Sequence, residues 1–519
     1  MSSAAELLKQ LRALGVQLHL EGDVLRLNAP KGALTAELQM QLKAAKPEIL
    51  SLLRTIQQNG SNAGTAPMVR VERSELMPLS YAQQRLWFLN QMQPESGAYG
   101  LLYLFRIEGE LDEEVLEESL KLIVLRHEAL RTNFVQRDGS PFTTIRDGMN
   151  WRLEKRLLDR RCGETLESAA ARFAESVVDD PFQLETGPLF RAYLLRVAEG
   201  EQVLALSIHH IVSDGWSMGV LVREWIENYR ALRVGETPRM QELPVQYLDY
   251  AEWQRQWLEG GVLERQMQYW RKQLEGAPAV AMFPPDHPRL LDGRTPGRRA
   301  KRILSAEMAA QLGAFSRSHD STLFMTMLAA FTLLLSRYSG QRDVVVGTPS
   351  ANRSRTELSE LIGFFVNNLV LRVDVQDGIS FLELLARVRE TTLGAYEHQD
   401  APFDHLVRAS QSDRNPEYSP LFQTMFILQN FPLEEVQLPG VHVSHLELDG
   451  TIARFDLTVE VYPFHNELHV YFDYRTDIYD EVTIDGLLAS FEHVLRSVTR
   501  APEALVEAVP LMAEEAKEA

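Results

Sequence analysis

Residues 207–217 read Ser-Ile-His-His-Ile-Val-Ser-Asp-Gly-Trp-Ser, and the chain on either side gives them a setting. Val203 to His210 is an apolar run of strand length, and Met218, Leu221, Val222, Trp225 and Tyr229 recur at helical spacing. The two histidines therefore stand where a strand runs through a loop into a helix. Side chains at a strand end and backbone N–H groups at a helix N-terminus converge at such a junction, which suits the holding of a ligand. Successive strand residues face opposite ways, so one of His209 and His210 is expected to face substrate and the other to pack. Asp214 is placed to orient the loop, by hydrogen bonds or by pairing with a distant arginine. A shared metal ion fits poorly, because adjacent strand residues do not easily reach one ion and no other His/Asp cluster is near in sequence; no metal site is expected.

Outward from this junction, helices and strands mix. Asp112 can cap a helix carrying Leu116, Leu120 and Ile123 on one face, while Gln202 to His210 and Asp343 to Gly347 are short apolar runs. The class is α/β. At 519 residues the chain exceeds one ordinary core, since domains run to roughly 100 to 200 residues. Its 72 acidic against 53 basic side chains oppose binding to a phosphate backbone or an anionic bilayer, so neither nucleic acid nor membrane is an expected partner. The single cysteine, Cys162, excludes an intrachain disulfide, and no secretion signal opens the chain; a cytoplasmic location is expected. Leu323 to Leu335 is the most apolar stretch, too short for a bilayer span of ~18 to 20 residues, and reads as a buried helix.

Residues 1–56 form a unit of their own. Leu7, Leu8, Leu11 and Leu14 share a helical face ending at Gly15; Val16 to Leu20 alternates, Glu21-Gly22-Asp23 supplies turn chemistry, and Val24 to Asn28 alternates again. Helical positions resume from Thr35 to Leu53, giving the order α-β-β-α-α. With seven basic and five acidic side chains this unit is positive in a chain of formal charge −19. Gln57 to Pro67 is polar and rich in Gly, Ser and Asn, as linkers are. The divisions expected are a unit over 1–56, a linker over 57–73, two lobes over 74–245 and 246–510, and the start of a further linker over 511–519.

HHIVSDG at 209–215 matches the HHxxxDG signature of the condensation domains of nonribosomal peptide synthetases, relatives of chloramphenicol acetyltransferase. SYAQQRLWFL (80–89), RHEALRTNF (126–134), YLDYAEWQRQWL (247–258), IGFFVNNLVLR (362–372), HQDAPFDHLV (398–407) and SPLFQTMF (419–426) resemble that family's motifs in the same order. Residues 1–56 resemble the docking domains at the N-termini of some synthetase subunits. The resemblance implies a V-shaped pair of acetyltransferase-like lobes around a central tunnel. It also implies amide formation between a donor acyl or peptidyl thioester and an acceptor aminoacyl amine, both carried on phosphopantetheine arms, with no cofactor bound by the domain itself. The partners it implies are an upstream donor carrier protein reached through the docking domain, a downstream acceptor carrier and an adjoining adenylation domain. The first motif resembles the branch joining an L-donor to an L-acceptor.

The resemblance puts His210 at the reacting centre, as base or as positioner of the amine; an imidazole near pKa ~6.5 is matched to either task. His209, Asp214, Gly215, Trp216, Ser217 and Arg353 are its expected support, with Arg353 the partner of Asp214 and backbone N–H groups near Gly215 aiding the oxyanion. Arg85 and Trp87 are expected tunnel wall. Two segments depart from the family pattern, Asn367-Asn368-Leu369 and Tyr99-Gly100, neither within the His motif. The rival readings are an acyltransferase using acyl-CoA, whose relatives share HxxxDG, and a non-catalytic recruitment platform.

Overall fold

The computed structural model describes residues 17–21, 24–28, 67–94, 97–146, 150–158, 164–198, 201–289, 295–410, 417–429, 436–447 and 451–512. Two units divide at Pro67. In the first, strands β1 (Gln17–Glu21) and β2 (Val24–Asn28) pair antiparallel from Gln17 opposite Asn28 to Glu21 opposite Val24, the hairpin that the two alternating runs predict. The helices expected on either side of it, the linker up to residue 66, Cys162 and residues 513–519 lie outside the described residues.

The second unit begins with α1 (Tyr81–Met92), whose first turn is closed by Ser80: its hydroxyl accepts from the Gln83 N–H while the Gln83 side chain accepts from the Ser80 N–H. Next come β3 (Gly100–Gly109), α2 (Glu113–Arg126) capped by Asp112, the hairpin β4 (Thr132–Arg137) and β5 (Ser140–Ile145), then β6 (Glu154–Leu157) and α3 (Leu166–Val178). β7 (Phe190–Ala198), β8 (Glu201–His209) and α4 (Gly215–Arg233) complete this half. Leu116, Leu120 and Ile123 of α2 bury against Leu221, Trp225 and Tyr229 of α4 and against Phe105, Leu204, Leu206 and Ile208 of the sheet. The core thus fixes the direction in which α4 leaves the end of β8.

The C-terminal half contains α5 (Tyr247–Trp257), α6 (Leu263–Leu274), β9 (Pro296–Leu304), α7 (Ala306–Ser318), α8 (Leu323–Ser339), β10 (Asp343–Ser350), β11 (Asn367–Asp374), α9 (Phe381–Glu397) and α10 (Phe403–Ala409). It continues with β12 (Thr424–Leu428), β13 (Val436–Leu438), β14 (Val441–His445), β15 (Thr451–Ile452), β16 (Leu457–Phe464), β17 (Glu467–Arg475) and α11 (Glu481–Arg500). α8 is the buried helix that its composition predicts, packed on Leu457, Val459, Val461, Val470 and Phe472. At roughly 1.5 to 3 kcal/mol for each fully buried Leu or Phe, this helix is the main apolar anchor of the half. No single helix among the described residues is long and apolar enough to cross a membrane.

Among the described residues the strands form a six-stranded sheet ordered β13-β14-β3-β8-β7-β6 and a seven-stranded sheet ordered β11-β10-β12-β16-β17-β9-β15. Sheet membership crosses the lobe division expected at residue 245. β14 leaves the C-terminal half and pairs with β3, from Val441 opposite Gly109 to His445 opposite Phe105. Gly109 makes the close approach: its φ is +115°, and a Cβ there would lie 2.4 Å from the Gly440 carbonyl oxygen. An exchanged strand ties the halves through main-chain hydrogen bonds as well as side chains.

Candidate functional site

β8 ends at His209, one residue before the strand end that the apolar run predicts, and His210 opens a single 3₁₀ turn, His210–Val212. The different settings of the two rings therefore come from the turn, not from strand alternation. His209 is buried, its Nδ1 accepts from the Ile211 N–H at 3.0 Å, and its ring meets the Phe182 ring edge-on. Burial, and then the neighbouring His210 and Arg454, pull its pKa down to about 3, so it is a neutral cap for the turn.

His210 remains partly open to solvent. Its Nδ1 lies 2.7 Å from the Ser213 carbonyl oxygen, which only accepts, so Nδ1 carries the hydrogen and Nε2 is left with its lone pair. Phe364, from the C-terminal half, stands edge-on to the ring at 4.9 Å between centroids. Burial, followed by the positive charge of Arg454, lowers the pKa to about 4, well under the value of a free imidazole. The ring is a neutral hydrogen-bond acceptor at pH 7.

Asp214 caps α4 and is fully buried. Its Oδ1 accepts from the Ser217 N–H at 2.8 Å and from Arg353 Nη2 at 3.1 Å, with the Ser217 hydroxyl at 2.7 Å; its Oδ2 accepts from the Phe365 N–H at 3.0 Å. Arg353 is also almost fully buried: Nη1 donates to the carbonyls of Leu358 and Leu361, and the guanidinium lies 4.0 Å from the Phe365 ring centroid. Ser217 accepts from the Gly363 N–H at 3.1 Å. Residues 362–365 thus form a strap from the second half across α4. At its N-terminal end the Ile362 N–H donates to His127 Nδ1, and beside it Tyr247 Oη donates to the Phe364 carbonyl. A buried carboxylate paired with a buried guanidinium and bonded to both halves in this way holds geometry.

Gly215 starts α4 exposed, and a Cβ there would meet nothing within 4 Å, so the space before the first helical N–H groups is open. Trp216 is 45% exposed, with its indole N–H donating to the Ser359 carbonyl. The two expected tunnel residues separate. Arg85 spans from α1 to α10, over the Phe403 ring at 4.5 Å and 3.6 Å from Asp404. Trp87 is only 4% exposed and packs in the apolar core of the first half. Of the two departures from the family pattern, Asn367 holds the 399–403 loop through the Gln399 and Ala401 carbonyls and the Phe403 N–H. Gly100 is the residue paired with His209 across β3 and β8, so it lies beside the motif after all. The motif reading also missed Phe364 and Arg454; Phe364 carried a signal in its own motif, whereas Arg454 lies in none of the quoted segments.

Comparison with known proteins bears on this arrangement. The family description "Condensation domain" matches residues 73–519, and "TubC N-terminal docking domain" matches residues 5–55. One of the linear gramicidin synthase proteins of Brevibacillus parabrevis is 42% identical over 456 residues, covering 88% of this chain and 9% of that protein. Phosphinothricin tripeptide synthetase PhsC of Streptomyces viridochromogenes is 36% identical, over 92% of this chain and 44% of that protein. The chain therefore spans less than a tenth of the gramicidin synthase protein that it matches. Among solved structures, the X-domain from teicoplanin biosynthesis has a TM-score of 0.76 at 26% identity, over 86% of this chain and all of that one. The first condensation domain of the CDA synthetase, at 23% identity and a TM-score of 0.72 over 85% of this chain and 100% of that one, shares the fold.

Proposed function

The chain belongs to the condensation-domain family of nonribosomal peptide synthetases, with a docking domain of the TubC type ahead of it, and on that premise we propose that it forms peptide bonds between substrates tethered to carrier proteins. The donor is an acyl or peptidyl thioester and the acceptor an aminoacyl thioester, each on a phosphopantetheine arm, and the reaction takes place in the cytoplasm. The acceptor amine attacks the donor carbonyl, the C–N bond forms, the C–S bond breaks, and the departing thiolate takes up the proton released by the amine. The first motif supports an L-donor joined to an L-acceptor.

The observation that carries the reading is the tautomer of His210, with Nδ1–H held by the Ser213 carbonyl and Nε2 left as acceptor. An α-amine titrates near ~8, so an imidazole with its pKa at about 4 does not deprotonate the ammonium at equilibrium. It accepts a hydrogen bond from the neutral amine and aims the nitrogen lone pair at the carbonyl. Once the C–N bond has formed, the nitrogen of the zwitterionic intermediate is strongly acidic, and the same Nε2 can take its proton and pass it to the leaving thiolate. His209, Asp214, Ser217 and Arg353 keep the turn and the strap in place for this.

The test is incubation of the chain with donor- and acceptor-loaded carrier proteins, followed by intact-protein mass spectrometry. An amide-linked product on the acceptor carrier is expected. Turnover of acyl-CoA with a free amine, and none between carriers, would overturn the reading.

A further inference from the structure

Arg454 lies in the short turn between β15 and β16, a segment that none of the recognisable motifs covers. Its neighbours are fixed: the Ala453 N–H donates to the Thr295 carbonyl, the Asp456 N–H donates to the Gln423 carbonyl, and Arg289 grips the Asp456 carboxylate. Ala453 and Asp456 are buried, and Phe455 packs on the Phe422 ring at 5.3 Å, whereas Arg454 between them is exposed. A flexible side chain is thus presented from a clamped backbone.

The place to which it is presented is the histidine end of the other sheet. The guanidinium lies 5.9 Å from the Tyr99 ring centroid, Tyr99 directly precedes Gly100, and Gly100 is the strand partner of His209. Its charge also reaches both imidazoles and the Tyr103 phenol: it lowers the pKa of each, although burial outweighs it at Tyr103, whose pKa is raised to about 12. Arg454 itself is exposed, and desolvation by its surroundings lowers its pKa from the usual arginine value. Among the described residues Glu460 also acts on it, with its carboxylate held by Arg299 at 3.0 Å and by the Tyr462 hydroxyl at 2.9 Å.

We propose that Arg454 is a catalytic residue of the peptide-bond-forming reaction, donating to the donor thioester's carbonyl oxygen while His210 holds the attacking amine from the opposite half. The inference rests on the function proposed above and adds a residue to it. As the C–N bond forms, the carbonyl oxygen gains a negative charge, and a cation donating to that oxygen stabilises the charge as it develops. When the C–S bond breaks, the oxygen's electron pair re-forms the carbonyl, the negative charge leaves on the thiolate, which takes up the amine's proton, and Arg454 keeps its protons throughout. A permanent cation in this place also keeps His210 neutral, as the acceptor role requires.

The experiment compares wild type, Arg454→Gln and Arg454→Lys in the full chain with loaded carrier proteins, reading the single-turnover rate, the KM for each carrier, the melting temperature and the His210 titration by NMR. Loss of one oxyanion donor is typically ~10² to 10³ in rate. The expected result for Arg454→Gln is a rate loss on that order with little change in either KM, partial recovery in the lysine variant and in Arg454→Gln supplied with guanidinium ion, an unaltered melting temperature, and a His210 pKa that rises. An unchanged rate overturns the proposal. So does a rise in one carrier's KM at constant rate, which would assign Arg454 to the phosphopantetheine phosphate. Absence of amide product with the wild-type chain would instead refute the function, which keeps the two failures distinct.

Discussion

The carbonyl oxygen of Ser213 decides what His210 can do, because it takes the only hydrogen that a neutral imidazole has and leaves Nε2 as a lone-pair acceptor. Replacing His210 with Ala should leave the melting temperature near that of wild type and lower single-turnover amide formation by roughly 10² to 10⁴, the usual range for a positioned acid–base group. The pH profile is the sharper test. With the pKa at about 4, protonation of Nε2 blocks the acceptor only as pH falls through that value, so between pH 8 and about pH 5 the rate should follow the neutral fraction of the acceptor amine alone, about tenfold lower per pH unit, with a steeper fall from His210 only below about pH 5. An inflection near 6.5 would mean that the ring is not depressed in the working complex. Asp214 and Arg353 make a different kind of claim. Each is buried, so removing one partner leaves an uncompensated charge at about 3 to 5 kcal/mol. Asp214→Asn and Arg353→Gln should each lower the urea midpoint strongly, and the double variant should lose much less than the sum. Additivity would show that the two do not act as a pair.

Among elements, the strap of residues 362–365 sets how closely the second half approaches α4. Tyr247 fills the space beside Gly363 so completely that a Cβ there would lie 1.9 Å from the tyrosine ring. Gly363→Ala must push that ring away, breaking its hydrogen bond to Phe364 and moving Phe364 off His210. A loss of about 1 to 3 kcal/mol in stability is expected, with a fall in amide formation beyond what the melting curve explains. Wild-type activity in this variant would show that the strap does not place Phe364. This contact was half legible in the sequence. Strand, turn and α4 are encoded locally, by an apolar run, a capping aspartate and a 3.6-residue period, so HHIVSDG pointed to the junction directly. What the sequence hid is long-range. β14 joins β3 across more than three hundred residues through main-chain hydrogen bonds that leave no pattern in either segment, and Arg454, whose charge lowers the pKa of both histidines, comes from a turn with no signature. The packing of Trp87 was hidden for a related reason: the helical period of α1 says that one face is buried, but not whether that face meets a core or a cleft.

For the whole molecule, the division at Pro67 separates a unit with its own hairpin from the body that holds the site. Among the described residues β1 pairs only with β2, so each strand has an edge to which an extended peptide can add through main-chain hydrogen bonds. Residues 1–56 carry seven basic and five acidic side chains, including Arg26 opposite His19 in the hairpin register, while the chain as a whole stands at −19. An acidic tail on an upstream synthase would be drawn to this unit and repelled by the rest, and salt should weaken the attraction. A tail held there would raise the local concentration of the upstream carrier and leave the proposed chemistry at His210 unchanged. Deleting residues 1–60 should therefore leave the condensation rate at saturating carrier almost unchanged, yet slow transfer from the matched upstream synthase at low concentration by roughly 10² or more, the gain that a second tethered contact typically gives. Added salt should slow the full-length chain toward the truncated one. If both chains transfer equally at low concentration, the hairpin does not recruit a donor, and sedimentation of the full-length chain would show whether its edge is closed by a second copy instead.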